Sequence, residues 1–342
     1  MKSMSRNKKI LLITLFVSLI VICIGTSIGS SNINIQDVIS IILNKIFNIP
    51  LLNKIEERYV SIIWKLRLPR VLLAFLVGAA LSVSGVVIQS ILKNSLASPY
   101  TLGISSGASL GVGIVIVTGI TFPILGVMML PVVGFICGLI TVFAVVIFSS
   151  RVDKTMGNNT LILAGMVFSL FSNAILTTIT ALCREKIESI SLWQMGSFSL
   201  KGWSYVKGGI IFFIIGFIGV ILYAKEMDIL SFGEEQAKSI GVETEKVKKK
   251  LLFLVAILTG TSVALSGVIG FVDLIIPHLV RKIIGSKHIY VIPMALLLGG
   301  SFMVITDLIA RTVVVPSELP VGAITALIGA PFFAYIYFKK SK

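Results

Sequence analysis

Apolar runs, most of them of bilayer length, recur along the chain, at Ile10–Ile28, Val71–Ile91, Ile124–Phe148, Leu161–Leu182, Gly208–Tyr223, Leu251–Leu265 and Val321–Phe338. A hydrocarbon core about 30 Å thick takes roughly 20 residues of helix to cross. Within it every backbone N–H and C=O needs a partner, which only helices and closed barrels supply. The strict alternation of a membrane strand is absent, so a barrel is excluded. The runs dictate an all-α, polytopic membrane protein. Composition agrees: 56% of the 342 residues are hydrophobic and 13% charged, with mean hydropathy +1.02.

The net charge of +15 sits in the connectors rather than on one basic face interleaved with aromatic residues, which favours a topological role over nucleic-acid binding. Met1–Lys9 followed by an apolar run has the outline of a signal peptide. The run is long enough for a full span, so it is read as a retained first helix with its basic end in the cytoplasm. Alternation then gives ten spans, with shorter candidates at Pro99–Val117, Gly267–Val280 and Val291–Arg311. The inside connectors become Lys93–Ser95, Ser149–Asn159, Lys225–Lys250, Arg281–Lys287 and the tail Lys339–Lys342, placing both termini in the cytoplasm. The outside segments are Ser30–Val60, Gly119–Phe122, Arg184–Lys207 and Thr312–Pro320, and Ser189–Phe198 reads as a short surface helix. The whole of 1–342 forms a single transmembrane domain in this reading.

Lys225–Lys250 (KEMDILSFGEEQAKSIGVETEKVKKK) is too short for a catalytic domain and too patterned for a spacer, and reads as a docking handle for a soluble partner. Gly267–Arg281 is short, glycine-punctuated and interrupted by Pro277. Asp273 within it and Asp307 further on are carboxylates at membrane depth, where charge is costly and marks either function or a buried partner. For Asp273 the favoured reading is a hydrogen bond to a helix end, a serine or an arginine. His278 has no second ligand at helical spacing, so no metal site is expected. Arg67, Arg70 and Arg311 fall near the outer face against the positive-inside trend. They suit either an acidic partner or lipid headgroups. The small residues of Gly78–Gly113 serve close helix packing, and some could line a weakly polar path. Ala80–Val86 and Val263–Val268 form a faint internal echo of the kind seen in inverted repeats. Cys23, Cys137 and Cys183 are too scattered for a disulfide or metal framework. There is no phosphate-binding loop, no Ser/His/Asp order and no paired-carboxylate site, so catalysis, ATP hydrolysis included, is not expected of this chain.

Eight segments, in order, resemble the FecCD-type permeases of ABC importers, the family of iron–siderophore, haem and vitamin B12 uptake: RLPR (Arg67–Arg70), Gly78–Gly111, LILAG (Leu161–Gly165), WQMGSFS (Trp193–Ser199), Phe232–Val242, Ala264–Arg281, TDLIAR (Thr306–Arg311) and Glu318–Phe333. The resemblance implies a type II importer fold of ten helices that pairs with a second permease, as homodimer or heterodimer. Two ATPase subunits would lie below it and a binding lipoprotein or periplasmic protein above, all in a bacterial cell membrane. It implies that Arg67, Arg70 and Arg311 meet acidic residues of the binding protein. It also implies that Met227–Val242 engages the ATPase, with Met227, Leu230, Gly233, Glu234, Glu235, Ala237 and Gly241 as the coupling residues. The cytoplasmic gate would be formed by Asn94 and Leu96 with Asn158 and Asn159.

Four departures from the family pattern stand out. Asp273 replaces a usual glycine, Ser95 a usual proline, Ser98 a position that is often acidic, and Tyr100 a proline or similar residue. No cofactor is expected, and the expected cargo is a ferric siderophore, with haem or a cobalamin as alternatives. A proton- or sodium-coupled carrier would have to rely on Asp273 and Asp307, and a non-transporting scaffold would move no chelate at all.

Overall fold

The computed structural model describes residues 6–29, 33–50, 55–154 and 156–340. Met1–Ser5 of the basic leader, Thr155 of one predicted inside connector and the last two residues of the tail lie outside that range, as do 30–32 and 51–54 of the first predicted outside segment. Fifteen α-helices follow in order: α1 Arg6–Ser27, α2 Ile35–Phe47, α3 Glu57–Ser61, α4 Leu68–Ile91, α5 Ile104–Thr118, α6 Met129–Val152, α7 Asn158–Leu182, α8 Ile187–Gln194, α9 Trp203–Leu222, α10 Ala224–Phe232, α11 Glu234–Ser239, α12 Thr244–Ser266, α13 Val272–Ile284, α14 His288–Thr312 and α15 Val321–Lys340. Among the described residues there is no strand.

Among the described residues seven helical stretches are long and apolar enough to cross a membrane: α1, the continuous 57–91 helix ending in α4, the 126–152 stretch containing α6, and α7, α9, α12 and α14. Two of the other three predicted spans fall on shorter apolar helices, α5 with 15 residues and α15, apolar over Val321–Tyr335. The third falls on α13, 13 residues long, which carries Asp273, His278, Arg281 and Lys282. The predicted start at Leu251 is displaced: α12 begins at Thr244 and carries the Lys246–Lys250 cluster within its first two turns.

Burial separates an inner from an outer set. The most apolar stretch of the α4 span is 89% buried within the protein and that of α12 is 78% buried, whereas those of α1, α6, α7 and α9 are only 22–33% buried. The outer helices therefore present Phe16, Phe143, Leu170, Phe171 and Ile211 outward, as a lipid-facing surface requires. α4 is the axis of the inner set and packs on α14, α12, α13 and α9. Small residues make this possible: an added Cβ at Gly78 would overlap the Gly299 carbonyl, and one at Gly85 would overlap the Asp273 carbonyl. In a lipid environment such close backbone approach, rather than hydrophobic burial, drives helix association.

Two spans are broken. After α12 the chain runs non-helically from Gly267, at φ +82, to Phe271, at φ +70, before α13 starts. A glycine meets the first conformation without the steric cost that a side chain would bring. Before α5 the connector 93–98 leads into a short 3-10 turn, Pro99–Leu102. Two of the freed carbonyls are satisfied by donors distant in the sequence. Ser197 N–H donates to the Ser266 carbonyl at 2.8 Å, and Tyr100 Oη donates to the Ile269 carbonyl at 2.8 Å. The second half of the internal echo, Val263–Val268, straddles the end of α12. The first half, Ala80–Val86, lies inside α4, which continues to Ile91, so the two breaks do not occupy matching places.

Candidate functional site

The antiparallel α4–α14 pair carries a polar cluster at each end. Arg70 and Gln89 mark them on α4, about 30 Å apart at 1.5 Å rise per residue, close to a hydrocarbon thickness.

At one end all three predicted docking arginines come together, and their guanidinium groups are engaged within the chain. Arg70 lies in the first turn of α4. Its Nε donates to Asp307 at 3.1 and 3.0 Å and its Nη2 to Asp307 Oδ1 at 2.8 Å. Nη1 and Nη2 also donate to the Glu318 carboxylate, at 2.8 and 3.0 Å. Arg311, one turn beyond Asp307 on α14, places Nε 3.7 Å from Asp307 Oδ2 and donates through Nη2 to the Gly25 carbonyl. Arg67 is buried and donates to the Ser27 carbonyl at 2.6 Å and more weakly to that of Thr26. Cations at the carbonyl end of α1 complement its dipole and its orphan acceptors. The set ties α1, α4, α14 and the α14–α15 connector together. Only Glu318 is substantially exposed: the Arg70 side chain is 12% accessible, Asp307 1% and Glu318 36%. Hydrogen bonding from Arg70 holds the Glu318 carboxyl below its ordinary pKa.

Lys201, in the α8–α9 connector, belongs to the same end and had no sequence signal. Its ammonium donates to the Leu265 carbonyl and stands 5.7 Å above the Tyr205 ring. Burial, and secondarily the charge of Arg70, push its pKa down from 10.5 to about 7. Between those values the unfolded chain binds the extra proton, so stability rises with pH. Thermal unfolding of the detergent-solubilised protein is expected to shift upward from pH 6.5 to pH 9, and Lys201→Met is expected to flatten that rise. An unchanged slope in the variant would show that another group is responsible.

The opposite end holds the predicted coupling and gate residues. In α10 and α11, Met227, Leu230 and Ala237 are fully buried and act as anchors. Gly233, at φ +140, makes the corner between the two helices. Glu234 pairs at 2.6 Å with Lys248 Nζ, itself buried and also donating to the Met156 carbonyl at 3.2 Å. Glu235 and Gly241 are exposed, and beside them are two residues that the sequence reading missed, Phe232 at 79% and Ile240 at 70% exposure. Among the gate residues, Asn158 Nδ2 donates to the Leu92 carbonyl at the end of α4 (3.0 Å), and Asn94 Oδ1 accepts from Leu96 N–H (2.9 Å). Leu96 and Asn159 project outward.

A Ser/His/Asp alignment, absent from the linear sequence, is assembled by the fold. His288 at the start of α14 sets Nε2 2.6 Å from Ser90 Oγ and Nδ1 2.6 Å from Asp228 Oδ1, and its backbone N–H donates to the same oxygen at 2.9 Å. Ser90 Oγ donates to the Val86 carbonyl within α4, which makes the arrangement a strap between α10, α14 and α4. Asp273, in the first turn of α13, accepts from Ser98 Oγ, where the helix dipole also favours a carboxylate. His278 is half-buried in the same helix. Among the described residues no group of three or more His, Cys, Asp or Glu is placed to hold a metal ion.

A bundle of apolar helices with broken spans, bracketed by a cationic cluster at one end and a two-helix knob at the other, is the architecture of a multi-pass membrane protein. The chain belongs to the FecCD transport family, whose sequence profile matches residues 15–339. It is 41% identical over 321 residues to an uncharacterized ABC transporter permease protein of Bacillus subtilis, covering 94% of this chain and 91% of that one. It is 39% identical to a hemin transport system permease protein of Yersinia pestis, over 81% and 84% of the two chains. It is 36% identical to a cobalamin import system permease protein of Halobacterium salinarum, over 84% and 76%. A solved inward-facing metal-chelate type ABC transporter superposes with a TM-score of 0.84 at 30% identity, over 97% of this chain and 99% of that one. The chain is thus a membrane-spanning permease of an ABC importer of the FecCD type. Such subunits have no catalytic activity of their own and work with ATPase and other ABC components.

Proposed function

We propose that this permease carries a ferric siderophore through a ten-span, two-permease pore, with haem or a cobalamin as the alternative cargo. Both the metal-chelate structure and the hemin and cobalamin relatives support a large chelate. Substrate choice would rest mainly with a separate binding protein. The observation that carries the reading is the α10–α11 knob. It is pinned from within by Met227, Leu230, Ala237 and the Glu234–Lys248 pair, and it offers Phe232, Glu235, Ile240 and Gly241 outward. An exposed apolar pair on a rigid mount suits a groove in an ATPase subunit. In this reading both termini and the knob are cytoplasmic, and Asn94, Leu96, Asn158 and Asn159 shape the inner gate. Arg67, Arg70 and Arg311 supply the positive field for binding-protein docking at the far end. A partner carboxylate would reach Arg70 by displacing Glu318, the one exposed member of that cluster.

The test is reconstitution in liposomes with the ATPase and binding protein. ATP-driven uptake of a ferric siderophore is expected, with haem and cobalamin as parallel arms. Phe232→Asp/Ile240→Asp is expected to lose ATPase co-purification and uptake while remaining monodisperse. Retained co-purification would remove the knob from its role, and uptake driven by an ion gradient without ATP would overturn the importer reading.

A further inference from the structure

Behind the knob, where the ends of α4, α13 and α14 meet α10, lies a cavity of about 390 Å³ lined by Gln89, Ser90, Lys93, Arg281, Lys287 and His288. Its one carboxylate, Asp228, is held by the ring and the backbone N–H of His288. Three cationic side chains therefore face the cavity against one anion that is already paired. The fourth contributor is Gln89, 4% exposed. Its Oε1 accepts from Arg281, which fixes the amide, and its Nε2 is left without an acceptor. A buried donor left unmade costs about 1–3 kcal/mol. Such a donor, beside a guanidinium steadied by Ser90 and Val86, marks a place for an acceptor that the chain does not provide. The cavity volume falls in the range of about 300–1,000 Å³ usual for ligand sites.

We propose that this cavity binds a phosphoryl anion, with Gln89 Nε2 and Arg281 as the inner contacts and Lys93 and Lys287 closing the mouth. Arginine offers a planar fork and lysine a mobile point charge, a pairing suited to phosphate oxygens. Basic pockets between membrane helices take lipid headgroups by the same chemistry. The source is therefore either an anionic phospholipid or a soluble phosphate. Neither the transport reading nor the orientation in the membrane enters this assignment.

The experiment uses the full chain. Delipidated protein in detergent is titrated with inorganic phosphate at constant ionic strength, followed by thermal unfolding. In parallel, protein in phosphatidylglycerol or phosphatidylcholine nanodiscs is released into native mass spectrometry. Stabilisation by phosphate identifies a soluble ligand, and selective retention of phosphatidylglycerol identifies a headgroup. Lys93→Gln/Lys287→Gln, both at exposed positions, is expected to weaken the response roughly tenfold. Gln89→Glu keeps the acceptor for Arg281 but replaces the inner donor with a carboxylate oxygen, and is expected to abolish the response. Absence of both phosphate stabilisation and lipid selectivity in the wild type, or an equal response in the lysine double variant, overturns the assignment.

Discussion

Replacing Gly78 by alanine is expected to prevent recovery of folded protein, although the change adds one carbon. The new Cβ would overlap the Gly299 carbonyl oxygen and crowd Met303 Cβ, both of which are fixed to the α14 backbone. Neither can turn aside as a flexible side chain would, so α4 and α14 would have to separate along their most extensive contact. Ordinary overpacking, where side chains can adjust, costs about 1–3 kcal/mol. A backbone overlap at the axis of the inner bundle is expected to exceed that. Gly85→Ala repeats the experiment against α13 through the Asp273 carbonyl, and Gly202→Ala, with open space around its Cβ position, is the control. Fluorescence-detected size exclusion of the three variants is expected to show aggregation for the first two and a wild-type profile for the third. A monodisperse Gly78→Ala protein with unchanged thermal unfolding would show that the α4–α14 approach is looser than described.

The same contact shows what could and could not be read from the sequence. The apolar runs announced α1, α4, α6, α7, α9, α12 and α15, because length against bilayer thickness is a one-dimensional constraint, whereas α14 was expected as a shorter span and is a full-length one. The short surface helix expected at Ser189–Phe198 was also legible, and appears as α8. The broken elements α5 and α13 were visible as short, glycine- and proline-marked spans, but their ends were not. Where a helix stops depends on tertiary acceptors such as the bond from Tyr100 to Ile269. In the charged positions, sequence identified the residues and missed their partners. Arg67, Arg70 and Arg311 looked like an outward-facing set because they fall near the outer face against the positive-inside trend, and only Arg311 has a carboxylate within one helical turn along the chain, Asp307. Their acceptors lie on α1, on α14 and beyond it, up to 286 residues away. Lys248 reads as one of a solvated lysine cluster, yet it is buried on Glu234 and Met156. Ser90, His288 and Asp228 carry no shared spacing at all. Asp273 and Ser98 are the instructive pair: both depart from the pattern the sequence resembles, and the structure joins them by a hydrogen bond.

Removing the Asp307 carboxylate is expected to be the most damaging change of charge in the chain. Asp307 is 1% exposed and accepts three of the hydrogen bonds made by Arg70, with Arg311 beside it at 3.7 Å. Breaking a buried pair by deleting one partner typically costs about 3–5 kcal/mol, because the remaining charge is left uncompensated. Here two guanidinium groups lose their common anion. Arg70 would keep only Glu318, half in solvent, and Arg311 only the Gly25 carbonyl. The repulsion between them, previously screened by Asp307, would act at the junction of α1, α4 and α14. Asp307→Ala is therefore expected to unfold at much lower temperature than wild type. Arg70→Met is expected to be less harmful, since Asp307 retains Arg311 one turn away. The double variant Arg70→Met/Asp307→Ala is expected to recover part of the loss, because it removes the stranded cation together with its partner, and a double-mutant cycle on thermal unfolding in detergent measures that recovery. Strictly additive losses would show that the two residues stabilise the protein independently, and the network described at this end would then be a proximity without energetic coupling.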